Sequence, residues 1–449
     1  MIARARIAAF DILTAVSTGT ELPTAIAASR DRLDDDRDRA LAAEIAAGVQ
    51  RWRAALDYLI VHFSKRALDR LDPEVVEILR LSAYQLLHLT RVPAAAVVDD
   101  AVDLAGRAGK RSAGGFVNAV LRTLARKRGA LPLPPRPAGP SRDAALDYLS
   151  ITLSHPRWLA ARWHDRFGFD ATEAWLQFNN APAPLTLRAN LLRTSPPALI
   201  ARLAAEDVRV HAGRFAPGAL VVDEGHPLRG RDLDDGWFVV QDEASQLVAL
   251  LAGSDVGPRV LDACASPGGK TTALASAMKN DGLLVACDVR SRRMALLKRT
   301  VTTCGATNVR LVQADLLKPL PFSTSFDCVL VDAPCSGLGT LRRDPDIRWR
   351  RRESDLAPLA AAELVMLGNA ARMVAPGGRL VYATCSSEPE ENEQVAEAFL
   401  HLEPSFAPVH AARASGSLPP DVIDDRGYLR TSPHVHGLDA FFGAVFERR

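Results

Sequence analysis

The first half of this sequence contains no cysteine. All six lie between Cys264 and Cys385, and no two have C-x-x-C spacing. Neither a disulfide framework nor a zinc site is expected from such a distribution. No apolar run approaches the length of a bilayer span. The opening segment MIARARIAAFDILTAV superficially suggests a signal peptide. Asp11 breaks its apolar stretch, and no A-x-A cleavage pattern precedes the continuing helical periodicity. These absences predict a reducing, cytoplasmic protein with no metal and no membrane partner; a monomer is expected. Acidic residues are also missing from one stretch, Leu104 to Arg128, which holds Arg107, Lys110, Arg111, Arg122, Arg126, Lys127 and Arg128. Such a run is either a solvated helix face or an electrostatic footprint for phosphates, and the sequence leaves both open.

The chain has 449 residues, of which 48% are hydrophobic, and its net charge is +2. That length calls for two or three domains. Residues 1–130 carry apolar residues at helical spacing, as in 39–63 and 71–89, the latter opening with Asp72 as N-cap and Pro73 at the first helical position. Clustered proline in ALPLPPRPAGPS marks a linker, 131–144. Residues 145–230 mix strand and helix patterns, which predicts a small α+β module. From 231 to 449, near-continuous apolar runs ending in Cys264, Val289, Asp315, Cys335 and Cys385 alternate with helical segments. This alternation predicts a parallel, doubly wound, Rossmann-like α/β domain. The segment DAFFGAVFER would add a final edge strand.

In such a sheet, the loops at the C-terminal strand ends build the site. Asp262, Asp288, Asp315 and Asp332 all fall there, as do Cys335 and Cys385. The loop CASPGGKTT is not a P-loop, because Cys264 stands where the first glycine is needed. Gly268 and Gly269 still allow close backbone approach to a ligand at a helix N-terminus. Asp288 follows Gly268 by about the ~20 residues typical of an acid that binds ribose hydroxyls. Asp315 could accept from an exocyclic amine. Together these residues favour a nucleoside-containing cofactor, although each acid alone is an ordinary turn residue.

The segments LDACASPGGKT, DAPCSG and ATCSSEPEENE resemble the motifs of the RNA cytosine-5 methyltransferases that use S-adenosylmethionine. The helical front half, with SAYQLLHLTRVPAAAVVDDAVDLA and GGFVNAVLR, resembles the RNA-binding NusB domain, and the combination is similar to bacterial 16S rRNA enzymes. The departures are Ser266 in place of an alanine, Ser387 and Glu388 after the second cysteine, and FFGAVF near the end.

The resemblance implies transfer of a methyl group to carbon 5 of one cytosine in 16S rRNA, presented single-stranded or splayed. It implies Cys385 as nucleophile, Cys335 as an aid to product release, Asp332 on the cytosine edge and Lys270 as a nearby cation. The cofactor would be S-adenosylmethionine, held by Cys264, Ala265, Ser266, Pro267, Gly268, Gly269 and Lys270 with Asp288, Arg293, Asp315 and Asp332. Pro-Cys chemistry, as in the DNA enzymes, would instead favour Cys335 as nucleophile.

Ser386, Ser387 and Pro389 suggest that a helix opens just after Cys385, which would lower its thiol pKa; Glu388, Glu390 and Glu391 oppose that. Gly337 and Gly339 suggest a loop able to bring Cys335 to the base. The remaining cysteines, Cys287, Cys304 and Cys328, are expected to be packing, and so is Trp349. Phosphate contacts are expected from Lys110, Arg111 and Arg122, and from Arg342, Arg343 and Arg348 in the run RRDPDIRWRRR. Methylation of another RNA such as a tRNA, a P-loop-like nucleotide-binding protein, and a non-catalytic RNA-binding protein are the competing readings.

Calorimetry separates the nucleotide-binding readings. S-adenosylmethionine should bind with a dissociation constant on the order of micromolar. Asp288→Ala should weaken it by about tenfold to a hundredfold, the scale of hydrogen bonds to a charged group. ATP binding without S-adenosylmethionine binding would overturn the assignment.

Overall fold

The computed structural model describes residues 2–253 and 256–449. The chain divides into two compact units. One comprises Met1–Pro182 with Leu341–Glu353, and the other comprises Ala183–Thr340 with Ser354–Arg449.

The first unit is helical. Its main helices are Arg4–Ser17, Leu22–Arg30, Asp36–Ser64, Pro73–His88, Ala94–Arg107 and Gly114–Lys127, followed by Arg142–Asp147, Arg157–Phe167 and Phe169–Asn180. Ile45, Val49, Leu56, Leu79, Leu104, Val117 and Leu121 form the buried stripe that the 3.6-residue period anticipates. Pro73 does open its helix, with Asp72 at the N-cap. The Asp72 side chain, however, does not cap; it pairs with Lys110 (3.3 Å), which also reaches Glu74 (3.6 Å). Lys110 thus has carboxylate partners already, whereas Arg111 and Arg122 are exposed.

The expectation of a phosphate contact from Arg348, in the arginine-rich segment 341–353, needs correcting. That segment lies within the helical unit, and Arg348 is 0% exposed. Its guanidinium donates to the carbonyl oxygens of Arg51, Ser154, Asn179 and Leu341 and to Asn180 Oδ1, at 2.9–3.3 Å. A group enclosed in this way cannot reach a phosphate. Burial and nearby Arg51 push its pKa down to about 9, and it stays charged at neutral pH. Arg342 donates to the carbonyls of Ala181 and Pro182 and lies over the Phe178 ring. Trp349 packs as expected, with Nε1 donating to Gln50 O (2.6 Å). Asp346 accepts from Leu22 N and pairs with Arg350. Arg343 is half-buried.

The second unit contains two sheets. The smaller is built from β1 (Thr186–Ala189), β2 (Arg209–Ala212), β3 (Ala219–Glu224) and β4 (Phe238–Val240) in the order β2-β3-β1-β4. Helix Pro196–Ala205, capped by Ser195, supplies Leu199 and Leu203 to a core with Leu187, Ala189, Leu220 and Phe238. The larger sheet contains β5 (Arg259–Asp262), β6 (Leu283–Asp288), β7 (Val309–Gln313), β8 (Phe326–Asp332), β9 (Val374–Thr384), β10 (Phe406–Val409), β11 (Leu429–Arg430) and β12 (Phe442–Arg448). Its order is β10-β12-β9-β8-β5-β6-β7, with β11 paired to β12. β9, β8, β5, β6 and β7 run parallel, as their unbroken apolar character predicts.

One expectation changes here. β12 is not an edge strand: it lies antiparallel between β9 and β10. The strands of the small module also share one compact unit with the large sheet, whereas the helices of 142–180 group with the helical unit.

Arg348→Met should leave several carbonyls without a donor and destabilise the protein by at least about 3 kcal/mol. Lys127→Ala, on an exposed position, should stay within about 0.5 kcal/mol. Urea unfolding of both variants checks this.

Candidate active site

β5 ends at the buried Asp262, and the chain turns through 263–268 into helix Gly269–Ala277. Gly268 has φ +107°, and a Cβ there would stand 3.1 Å from Leu297 and Thr300, so only glycine fits comfortably. Asp262 Oδ2 accepts from Thr271 Oγ1 (2.7 Å), while its buried Oδ1 has no hydrogen-bond partner. Burial pushes the Asp262 carboxyl up to about 7, and the nearby Asp332 charge pushes the same way, while the Thr271 hydrogen bond opposes it.

β6 delivers Asp288 beside this turn. Its Oδ2 accepts from Ser266 N (3.3 Å) and lies 3.6 Å from Arg293 Nε. Arg293 donates to Ser266 O (3.1 Å), and Ser266 Oγ donates back to Arg293 O (3.1 Å). An alanine at 266 could not make that last bond, so the departure ties the turn to helix Ser291–Cys304. Asp315 accepts from Leu317 N (3.0 Å) and remains partly exposed. Cys264 is half-buried, and burial, reinforced by Asp262, Asp332 and Asp288, raises its thiol pKa. Cys287, Cys304 and Cys328 are buried.

β8 and β9 bring together the reactive candidates. Lys270 Nζ lies 2.7 Å from Asp332 Oδ2, and Cys335 Sγ lies 3.3 Å from Cys385 Sγ. Burial works against the Lys270 charge, but the Asp332 carboxylate outweighs it, and charge on Cys385 adds to the effect, so the ammonium pKa is raised. Lys270 also faces the Phe441 ring at 5.7 Å. The hydrogen bond to Cys385 raises the Cys335 pKa, with burial and the carboxylates of Glu391 and Glu363 adding to the rise. The two thiols are therefore unlike: Cys335 keeps its proton, whereas Cys385 has the lysine for a neighbour.

Two expectations about the loops fail. No helix opens after Cys385. Residues 386–392 form turns, held by Asn392 Nδ2 donating to Ser386 O (3.0 Å), and the helix begins at Glu393. The Cys385 loop is therefore not activated by a helix terminus. Gly339 is also no loose hinge: its N–H donates to Cys385 O (2.9 Å), and a Cβ there would meet Ala440 O at 2.0 Å.

Arg188, on β1, escaped the sequence reading. It is nearly buried, and its Nη2 donates to Gly269 O (3.0 Å) and Thr272 Oγ1 (2.7 Å); Thr272 in turn donates to Gly268 O (2.9 Å). Its Nε donates to Gln241 Oε1 (2.7 Å). The small sheet thus clamps the glycine turn. Burial pushes the Arg188 pKa down to about 10. A lone arginine in a strand gives no sequence signal for such a role.

The doubly wound sheet with an antiparallel β12 beside β9, carrying its polar residues at the parallel strand ends, defines a Rossmann-like methyltransferase fold. Comparison with known proteins makes this specific. The 16S rRNA methyltransferase RsmB/F family matches residues 249–447, the NusB family matches 3–126, and the ferredoxin-like domain of RsmF/B-like methyltransferases matches 155–229. The probable ribosomal RNA small subunit methyltransferase B of Bacillus subtilis is 34% identical, over 91% of this chain and 90% of that protein. The ribosomal RNA small subunit methyltransferase B of Pseudomonas putida is also 34% identical, over 92% of each. Among solved structures, that of PH0851 shares 26% identity and a TM-score of 0.82, covering 100% of this chain and 99% of that one. A methyltransferase homologue from Pyrococcus horikoshii shares 26% identity and a TM-score of 0.58, over 69% of this chain and 100% of that one. The chain belongs to the RsmB/F family of 16S rRNA methyltransferases.

Arg188→Met should loosen the turn that Gly268 and Gly269 form. Titration calorimetry should then show S-adenosylmethionine affinity falling by about tenfold, the cost of a lost hydrogen bond to a charged group. Circular dichroism should report unchanged secondary structure.

Proposed function

We propose that this protein methylates carbon 5 of a cytosine in 16S rRNA, using S-adenosylmethionine and a transient bond from Cys385 to carbon 6. The observation that carries the reading is the pair of thiols 3.3 Å apart, with Lys270 beside one and carboxylates beside the other. The cofactor fits the residues present. Gly268 and Gly269 permit close approach of a ligand, the Asp288 carboxylate suits ribose hydroxyls, and Asp262 Oδ1 is a buried acceptor without a protein partner. When bound, it supplies an electrophilic methyl group.

Carbon 5 of cytosine is a poor nucleophile. Addition of the Cys385 thiolate to carbon 6 moves electron density to carbon 5, which would then form its bond to the methyl group as the methyl–sulfonium bond breaks and its electron pair leaves on the cofactor sulfur. Loss of the carbon-5 proton and cleavage of the carbon–sulfur bond return the electron pair to Cys385 and release the product. Lys270 stabilises the thiolate by its charge. Asp332, oriented by Lys270, hydrogen-bonds the cytosine edge. Cys335, arriving as a thiol, assists the release step. The base must be unstacked to enter, so the RNA is single-stranded or splayed at that point. The exposed Arg107, Arg111, Arg122 and Arg126 of the helical unit supply phosphate contacts.

Cys385→Ala should reduce methyl transfer by at least about three orders of magnitude and form no protein–RNA adduct. Cys335→Ala should instead accumulate an adduct that survives denaturation, because addition proceeds and elimination stalls. Denaturing gels with labelled rRNA fragments read this directly. An adduct trapped by Cys385→Ala and absent in Cys335→Ala would reverse the two roles.

A further inference from the structure

Each reactive thiol is followed by a serine. Ser336 and Ser386 are each 1% exposed, and both point at one carboxylate, that of Glu391, which is 0% exposed. Glu391 Oε1 accepts from Ser336 N (2.6 Å). Its Oε2 accepts from Ser336 Oγ (2.5 Å) and from Ser386 Oγ (2.5 Å), and the two hydroxyls lie 3.2 Å apart. The Glu391 side chain thus joins the loops after β8 and β9 at the residue following each of the two cysteines.

Glu391 is itself fixed. Its backbone carbonyl accepts from Tyr382 Oη (2.6 Å), and the neighbouring Asn392 takes Thr384 Oγ1 (2.5 Å) on Oδ1 and gives Nδ2 to Ser386 O (3.0 Å). A second buried acid, Glu363, lies against it. Glu363 Oε2 hydrogen-bonds Tyr382 Oη (3.0 Å), whose own proton goes to the Glu391 carbonyl, and Glu363 Oε1 has no protein donor. Burial, with the charge of Glu391, pushes the Glu363 carboxyl up to about 9, so it carries a proton at neutral pH. Of the two acids, Glu391 is the one that collects three donors, two from Ser336 and one from Ser386.

We infer that Glu391 is a positioning residue: its carboxylate braces Ser336 against Ser386 and so sets Cys335 at the distance from which it can act on the cytosine adduct held by Cys385. The inference rests on the two-cysteine chemistry proposed above. It assigns to Glu391 the release step rather than the first addition, because Glu391 takes both the backbone and the hydroxyl donor of Ser336, next to Cys335, but only the hydroxyl of Ser386, next to Cys385.

The full-length protein tests this with three variants. Glu391→Gln keeps the shape but replaces one acceptor oxygen with a donor. Multiple-turnover methylation of an rRNA fragment should fall by about 100-fold, the scale of an ~1 Å misplacement. A single turnover should still occur, and a denaturation-resistant protein–RNA adduct should accumulate. S-adenosylmethionine affinity should be unchanged, a split that a general loss of structure would not give. Ser386→Ala, a smaller change, should show the same adduct in lesser amount and serves if Glu391→Gln fails to fold. Wild-type turnover in Glu391→Gln, or slow turnover without adduct, would overturn the inference; so would absence of adduct in Ser386→Ala where that variant stands in. Cys335→Ala is run alongside: if it traps no adduct, the two-cysteine reading itself fails; if it does and the other two variants do not, only the role of Glu391 is refuted.

Discussion

The contact between Lys270 and Asp332 organises the catalytic unit. It joins the turn after β5 to the turn after β8, two loops separated by 62 positions in sequence, through one 2.7 Å ion pair. The Lys270 charge, on a side chain only 11% exposed, would be costly there alone, since removing an ion from water costs several kcal/mol. Each loop is therefore correctly placed only when the other is. The glycine turn, Asp332 and the lysine beside Cys385 become a single rigid object.

A second economy concerns carboxylates. Asp262, Glu363 and Glu391 are all 0% exposed, yet they are not equivalent. Glu391 collects three donors, whereas Glu363 faces Glu391 and a tyrosine and is driven towards its neutral form. Asp262 sits between, with a threonine hydroxyl on one oxygen and its carboxyl pushed up to about 7. Distributing protons unequally among buried acids lets the site hold negative charge next to Cys335 and positive charge next to Cys385. That difference distinguishes two otherwise similar sulfur atoms.

Periodicity made the framework legible. The apolar runs ending in Asp262, Asp288, Asp332 and Cys385 are strands whose ends converge, because a parallel strand buried on both faces leaves few alternatives. Signals that depend on tertiary acceptors were not legible. Arg348 stands among five other arginines, and only the ring of carbonyls around it reveals that it belongs to a core. Ser386, Ser387 and Pro389 have the composition of a helix start, but hydrogen bonds to Asn392 hold that stretch in turns. β10, whose PSFAPV segment contains two prolines, gave no strand pattern, so β12 looked like an edge. Arg188 and Glu391 were visible as letters, but what they hold could not be read from neighbours in sequence.

The passage of residues 341–353 through the helical unit bears on the order in which the molecule can be completed during synthesis. A growing chain releases the helices up to Pro182 long before Arg348 leaves the ribosome. In that interval the carbonyls of Arg51, Ser154 and Asn179 lack the guanidinium that ties them together. The amino-terminal half therefore stays without these hydrogen bonds while the rest is made. It is finished only after β5 to β8 have been made, by a peptide emerging a few residues behind Cys335. Arrival of that one arginine closes the helical core at the same stage of translation that delivers the first of the two thiols.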